Sequence, residues 1–336
     1  MKMNQESGTE MFRILQYGRE IHMGRYAFGV DIGGTTVKMG LFDGDGNLLE
    51  KWEIVTRKED KGAHILPDVA ASIEAVMKKR NLSKSEVIGV GAGSPGLVLA
   101  DGTVQSAVNL GWDKMNIPET LGSLLNLPVK AGNDANIAAY GELWQGGGKG
   151  YKSMVMVTLG TGVGGGVIID GRILVGASGA GGEVGHMIVN TAETQVCGCG
   201  RKGCLEQYAS ATGIARLAKR RLSADNKPSI LRGEDYVSAK KVFDAVKKND
   251  EVAIEIAEEF GMYLGDGLAK TASVVDPEVF VIGGGVSKAG EILFDYIRPA
   301  YEKCAFRSYL DAELKLAKLG NDAGIYGAAG LFLMEV

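Results

Sequence analysis

One pattern occurs twice in this chain and limits the folds open to it. An apolar run, Tyr26 to Ile32, leads into Gly33-Gly34 and a second run, Val37 to Phe42. A turn, Asp43-Gly-Asp-Gly-Asn47, then feeds Leu48 to Val55. The same order returns at Ser153 to Leu159, with a glycine turn over 160–166, a strand Val167 to Ile169, an Asp170-Gly171 turn and a third run, Ile173 to Val175. β-branched runs broken by Gly and Asp turns predict an antiparallel meander. Two of them predict an internal duplication, by pattern rather than identity.

Helical spacing follows each meander. Ile65, Val69, Ile73, Val76 and Met77 predict a helix over 64–80, and similar spacing marks Ser238 to Val246 and Glu251 to Val275. Val87 to Ala92, Leu127 to Ala131 and Val279 to Ile282 read as short buried strands. Gly93-Ser94-Pro95-Gly96 reads as a turn, Ala135 to Trp144 as a helix, and a last helix starts near Asp322. The expectation is an α/β protein of two similar lobes with a cleft between them, where ligands prefer to bind at strand ends.

At 336 residues the chain exceeds one ordinary core. Its 50 glycines lie in clusters beside apolar runs, which implies tight turns and close backbone approach to a ligand. A net charge of −4 offers no clustered cations for nucleic acid. Residues 1–23, which include His22 and a second methionine at Met23, read as a tail or extension without an apolar signal segment. A cytoplasmic protein with no membrane partner is expected.

Four segments suggest chemistry. Asp31-Ile-Gly33-Gly34-Thr35-Thr36 lies between two strands, where glycine amides can close on an anion and Asp31 can orient a Mg²⁺-bound phosphate; a plain hairpin turn is the alternative. Thr158-Leu-Gly160-Thr161-Gly162-Val-Gly-Gly-Gly166 contains G-x-G-x-x-G, yet a strand follows instead of the helix that dinucleotide binding needs. No Walker A pattern occurs in the sequence. Asp134, after Asn133 at a strand-to-helix junction, reads either as a helix N-cap or as a general base. Cys197, Cys199 and Cys204 alternate with glycines and follow His186, the one histidine outside the tail and a polar stretch. Three thiolates and an imidazole make a closed tetrahedral zinc site, against the alternative of small buried hydrophobes. Cys304 stands apart.

These residues resemble the ROK family of bacterial sugar kinases and related repressors. The likeness runs from about Tyr26 through Asn109-Leu-Gly-Trp112, Gly181-Gly-Glu183-Val-Gly-His186, Cys204-Leu-Glu206, Ser210-Ala-Thr-Gly213, Gly283-Gly284-Gly285-Val-Ser287 and Leu319-Gly-Asn-Asp322. Its details are similar to the glucose-phosphorylating members of Gram-positive bacteria. The resemblance implies two ribonuclease-H-like lobes of the actin and hexokinase type. The smaller would span 24–131 plus a terminal helix, 319–336; the larger would span 132–318 and carry the zinc loop.

The resemblance further implies ATP with Mg²⁺ as phosphoryl donor, glucose as acceptor at its 6-hydroxyl, and a structural Zn²⁺. Asp134 would be the base. Gly93, Ser94, Asn133, Glu183, His186 and Glu206 would hold the sugar, with His186 also on zinc. Asp31 to Thr36 and Thr158 to Gly162 would bracket the phosphates, and Gly283 to Gly285 would approach the adenosine. Many members carry Lys where Thr36 stands, and Lys38 shares its strand face. Alternatives are another sugar (N-acetylmannosamine, mannose or fructose), polyphosphate as donor, a non-catalytic sugar-binding module, or a sugar-sensing repressor. Only 30 residues precede Asp31, too few for a DNA-reading module and its linker. A homodimer or homotetramer is expected.

Overall fold

The computed structural model describes residues 26–334. The expected tail, with His22 and Met23, lies outside the described residues. Strands β1 (Tyr26–Ile32), β2 (Thr36–Asp43) and β3 (Leu48–Val55) form the first meander, and helices α1 (Ile65–Lys79) and α2 (Ile117–Leu125) frame the crossings to β4 (Val87–Ser94) and β8 (Val129–Asn133). The sheet order is β3-β2-β1-β4-β8, with β1, β4 and β8 parallel. A small sheet, β5 (Leu97–Val98), β6 (Thr103–Ser106) and β7 (Met115–Asn116), sits between β4 and α2. Helix α3 (Asp134–Gln145) follows β8.

The second meander, β9 (Met154–Leu159), β10 (Val163–Ile169) and β11 (Arg172–Ile173), builds a sheet of order β11-β10-β9-β12-β13. Here β12 (Val279–Gly283) and β13 (Glu313–Leu316) run parallel to β9. Both sheets therefore share one topology, three antiparallel strands and then two parallel ones, as the repeated pattern predicts. Helices α4 (Ala211–Ala224), α5 (Ala239–Val246), α6 (Glu251–Val275), α7 (Ile292–Cys304) and α8 (Ala323–Leu333) complete the chain. Each sheet has its own buried core, one centred on Phe28, Met39, Leu66 and Ile73, the other on Tyr208, Phe243, Phe260 and Phe280. Among the described residues no helix is long and apolar enough to cross a membrane.

The helices that follow the two sheets exchange places. α8 packs its backbone on the first sheet, where a Cβ on Gly91 would stand 1.7 Å from the Ala328 carbonyl. α3 packs on the second sheet, where Gly166 would meet the Ala139 side chain at 2.4 Å. The two helices also touch each other, Gly327 against the Ile137 carbonyl. Glu142 of α3, fully buried, accepts the amides of Gly147, Lys318 and Leu319 at 2.7 to 2.9 Å. It thus ties together both passages of the chain between the sheets. The expected boundary between 131 and 132 falls within β8, whose pairing with β4 runs to Asn133.

Three local expectations change. The glycine turn over 160–166 is shorter: Gly164, Gly165 and Gly166 are strand residues of β10. They serve close packing, since a Cβ on Gly165 would lie 2.3 Å from the Gly182 carbonyl. Gly93 and Ser94 finish β4 instead of opening a turn, because they pair with Gly132 and Asn133. β11 ends at Ile173, short of the expected Val175.

Candidate active site

The carboxyl ends of the parallel strands line up. Asp31 of β1 pairs with Gly93 of β4, and Gly93 with Gly132 of β8; one step on, Ser94 pairs with Asn133. Asp31, Asn133 and Asp134 therefore gather at one edge of the first sheet. Ser94 is fully buried and its hydroxyl donates to its neighbour's carbonyl at Pro95, 3.2 Å away.

At the start of α3 the cap is Asn133. Its Oδ1 accepts the amides of Ala135 at 3.0 Å and Asn136 at 3.1 Å, and its Nδ2 donates to the Gly96 carbonyl at 3.0 Å. Asp134 is the first helical residue. Its Oδ1 accepts from the Ala135 amide at 2.9 Å and from Asn133 Nδ2 at 3.0 Å. Its Oδ2 takes no hydrogen bond from any described residue. A capping asparagine thus leaves the aspartate one oxygen for another partner, and the N-cap alternative for Asp134 falls.

The charges of this edge disfavour one another. Burial, the main cause, pushes the Asp134 carboxyl above the usual range; hydrogen bonds from Ala135 and Asn133 oppose this, and the nearby Glu183 charge adds to it. Asp31 is likewise raised, chiefly by burial, with Lys38 pulling it down and Asp134 pushing it up. Lys38 lies opposite Asp31 in the β1–β2 register, and its Nζ donates to the Asn321 carbonyl at 3.2 Å.

The facing edge belongs to the second sheet. Thr158 pairs with Gly164 and with Gly283, and the turn of residues 160–162 lies just beyond. Gly283 itself is buried inside β12, while Gly284 and Gly285 are exposed past the strand end. Gly284 has φ +83° and a Cβ there would stand 2.6 Å from the Leu159 backbone, so only glycine suits the position. Beside Gly285 opens a cavity of about 340 Å³, lined by Ala239, Lys240, Phe243, Lys247 and Lys288. Sequence reading did not select these residues. Phe243, one turn into a helix whose register was legible, was the available signal. A second hollow of about 370 Å³ lies behind Asn133, against Asn136, Tyr140 and Arg172. Its lining includes none of Asp134, Glu183, His186 or Glu206.

Glu183, His186 and Glu206 come from the loops after β11. The loop of 181–186 lies on β10 through glycines: Gly185 abuts the Val163 carbonyl as Gly182 abuts Gly165. Glu206 opens a single helical turn and lays its carboxylate over Gly162, with Oε2 accepting the Val163 amide at 3.1 Å. Its Oε1 is 3.6 Å from Cys197 Sγ.

His186, Cys197, Cys199 and Cys204 bring four donor atoms within 4.8 Å of one another. Cys199 Sγ and Cys204 Sγ are 3.5 Å apart, and Cys197 Sγ lies 3.9 Å from His186 Nδ1. Ligands at ordinary zinc distances have tetrahedral edges of about 3.5–3.8 Å, so the group fits a zinc ion. With Nδ1 turned to the thiols, Nε2 remains as the ring's second polar atom. Gly200 and Gly203, both with positive φ, bend the loop, and Arg201 donates to the His186 carbonyl at 3.0 Å.

Two sheets of one topology, exchanged helices, and paired glycine turns at facing strand ends define a protein of the actin and hexokinase fold class. The ROK family model matches residues 27–335. A glucokinase of Halalkalibacterium halodurans is 43% identical over 91% of this chain and 94% of its own length. A ROK hexokinase from Thermus thermophilus superposes with a TM-score of 0.76 at 31% identity, covering 90% of this chain and 96% of its own. A ROK family glucokinase from Streptomyces griseus, solved with glucose and AMPPNP, gives 0.70 at 35% identity, covering 92% and 100%. The chain belongs to the ROK family.

Proposed function

We propose that this chain is a glucokinase, transferring the γ-phosphoryl group of ATP to the 6-hydroxyl of glucose. The observation that carries the reading is the free Oδ2 of Asp134, at a strand end beside Glu183 and Asp31, with Asn133 taking over the cap. Relatives named for glucokinase activity, one of them bound to glucose and an ATP analogue, support it.

Asp134 Oδ2 receives the proton of the 6-hydroxyl while that oxygen bonds to the γ-phosphorus and the bond to the bridging oxygen of ADP breaks. A raised pKa suits this task, since a stronger base takes the proton more readily. Asn133, Glu183, Glu206 and His186 Nε2 offer hydrogen-bond partners to the ring hydroxyls, with Gly93 and Ser94 backing them. Amides of Gly34, Thr35, Thr161 and Gly162 face the triphosphate from the two turns. The cavity beside Gly285 suits the adenosine, and the lysines at its rim suit its phosphates. Mg²⁺, when bound, neutralises charge on the transferring phosphate, and Asp31 would hold it, with Lys38 beside it. Zn²⁺, held by His186, Cys197, Cys199 and Cys204, would fix the loop that presents His186 and Glu206. The lobes would comprise residues 26–133 with the terminal helix, and 134–318, since β8 pairs with β4 to Asn133.

The test is ATP consumption in a coupled assay across hexoses, with polyphosphate as an alternative donor. Glucose is expected to give the highest kcat/KM with ATP. Sugar binding without ATP turnover would overturn the assignment.

A further inference from the structure

The two glycine turns are held from behind in the same way. In the first, Thr56 sits just past β3 and donates its hydroxyl to the Gly33 carbonyl at 2.7 Å and its amide to the Thr35 carbonyl at 2.9 Å. In the second, the start of α4 plays the same part. The Ala211 amide donates to the Gly160 carbonyl at 2.8 Å, and the Thr212 hydroxyl donates to the Thr161 carbonyl at 2.7 Å. Each turn is also closed by its own bond, Gly33 to Thr36 and Gly160 to Gly162, both 3.0 Å.

A trans peptide is planar, so its C=O and the next N–H point in opposite directions. Fixing the Gly33 carbonyl aims the Gly34 amide; fixing the Gly160 and Thr161 carbonyls aims the amides of Thr161 and Gly162. Among the described residues, the amides of Gly34, Thr35, Thr161 and Gly162 donate to no backbone acceptor. Neither hydroxyl serves as a helix cap. Thr212 is exposed, and α4 is capped by Ser210, which accepts the Gly213 amide at 2.9 Å; the Thr212 hydroxyl also lies 3.0 Å from Ser210 Oγ, which gives its own proton to the Glu206 carbonyl at 2.7 Å. Thr56 is buried, but a valine would fill its volume.

We propose that Thr56 and Thr212 are positioning residues, one per lobe, whose hydroxyls hold the turn carbonyls back so that the following amides converge on the triphosphate. This rests on the phosphate reading of the turns given above. It also gives a role to Ser210-Ala-Thr-Gly213, which no catalytic assignment had used.

The experiment compares T56V and T212V with T56S and T212S. It reads KM and kcat for ATP and glucose, tripolyphosphate binding by calorimetry, and the fraction folded by circular dichroism. Each valine variant is expected to lower kcat/KM for ATP and tripolyphosphate affinity by about 3- to 10-fold, the worth of one hydrogen bond. KM for glucose is expected to change by less than about twofold, and each serine variant to behave as wild type, since only the hydroxyl matters. Valine variants that keep wild-type tripolyphosphate affinity overturn the proposal alone. So do variants that lose glucose and ATP equally, which marks a structural role. Wild-type protein that binds no tripolyphosphate overturns the phosphate reading and the proposal with it. Thr212 is exposed, so T212V decides the matter even where T56V yields little folded protein.

Discussion

Glu206 bridges two sites: one carboxylate oxygen accepts the Val163 amide at 3.1 Å while the other lies 3.6 Å from Cys197 Sγ. The cysteine loop and the glycine turn of the second sheet therefore share a side chain. A carboxylate held between them cannot shift without both responding.

Loss of the metal is expected to reach the sugar first. In Cys199→Ala three ligands remain, too few for a closed zinc site, and the loop carrying His186 and Glu206 loosens. Metal content is expected to fall to background and glucose affinity by at least about tenfold, the usual scale for disturbed metal shells. ATP-analogue affinity is expected to change less. Metal analysis with calorimetry checks both; a zinc-free variant that binds glucose normally would break the coupling.

Asp134→Asn is expected to lower kcat by at least about 100-fold, the scale of general-base catalysis. Asparagine keeps an oxygen for the Ala135 amide, so the helix start survives. The raised pKa means the folded protein holds this proton more tightly than the unfolded chain does. Stability from this group thus declines as pH rises from about 3.9, the ordinary carboxylate value, through the raised one. At neutral pH the variant is expected to melt no lower than wild type. Thermal scans with initial rates test this, and a lower Tm with retained kcat would return Asp134 to a structural role.

The pH profile follows from the same charges. Activity needs Asp134 ionised, so kcat/KM is expected to fall on the acid side at a pH above the ordinary carboxylate range. Glu183 pushes Asp134 up, so Glu183→Gln is expected to move that limb to lower pH, apart from its effect on glucose KM. A limb that stays in place argues against Asp134 as the titrating base.

Glu142→Gln is expected to destabilise by roughly 1.5–3 kcal/mol, because an amide removes one acceptor and turns an NH₂ towards backbone donors. Three amides from two distant segments converge on this buried carboxylate. Chemical denaturation measures the loss; an unchanged midpoint would mean that the passages between the sheets hold without it.

The strength of local signals explains what could be read in advance. Glu251–Val275 and the helix ending at Val246 were legible because their apolar stripes repeat every three to four residues, and the duplicated meander because its turns are Gly and Asp rich. The cysteines announced themselves by spacing. α7 was overlooked although Leu293, Ile297 and Tyr301 recur at four-residue intervals; Pro299 inside the helix masked it. β13, with Lys and Glu among its four residues, carries no strand signal of its own.

The sequence by itself determined the two meanders with their glycine turns and the cysteine cluster that could hold a metal, since each is written in neighbours a few residues apart. Only the tertiary structure decided that Asn133 caps α3 and frees Asp134, that Gly164 to Gly166 lie within a strand, and that α3 and α8 exchange sheets. Those outcomes depend on contacts outside the local sequence pattern: Asn133 Nδ2 on the Gly96 carbonyl, Gly165 on Gly182, and Ala328 on Gly91. Contacts at such separation leave no periodicity to read, because what selects them is the fit of one backbone against another.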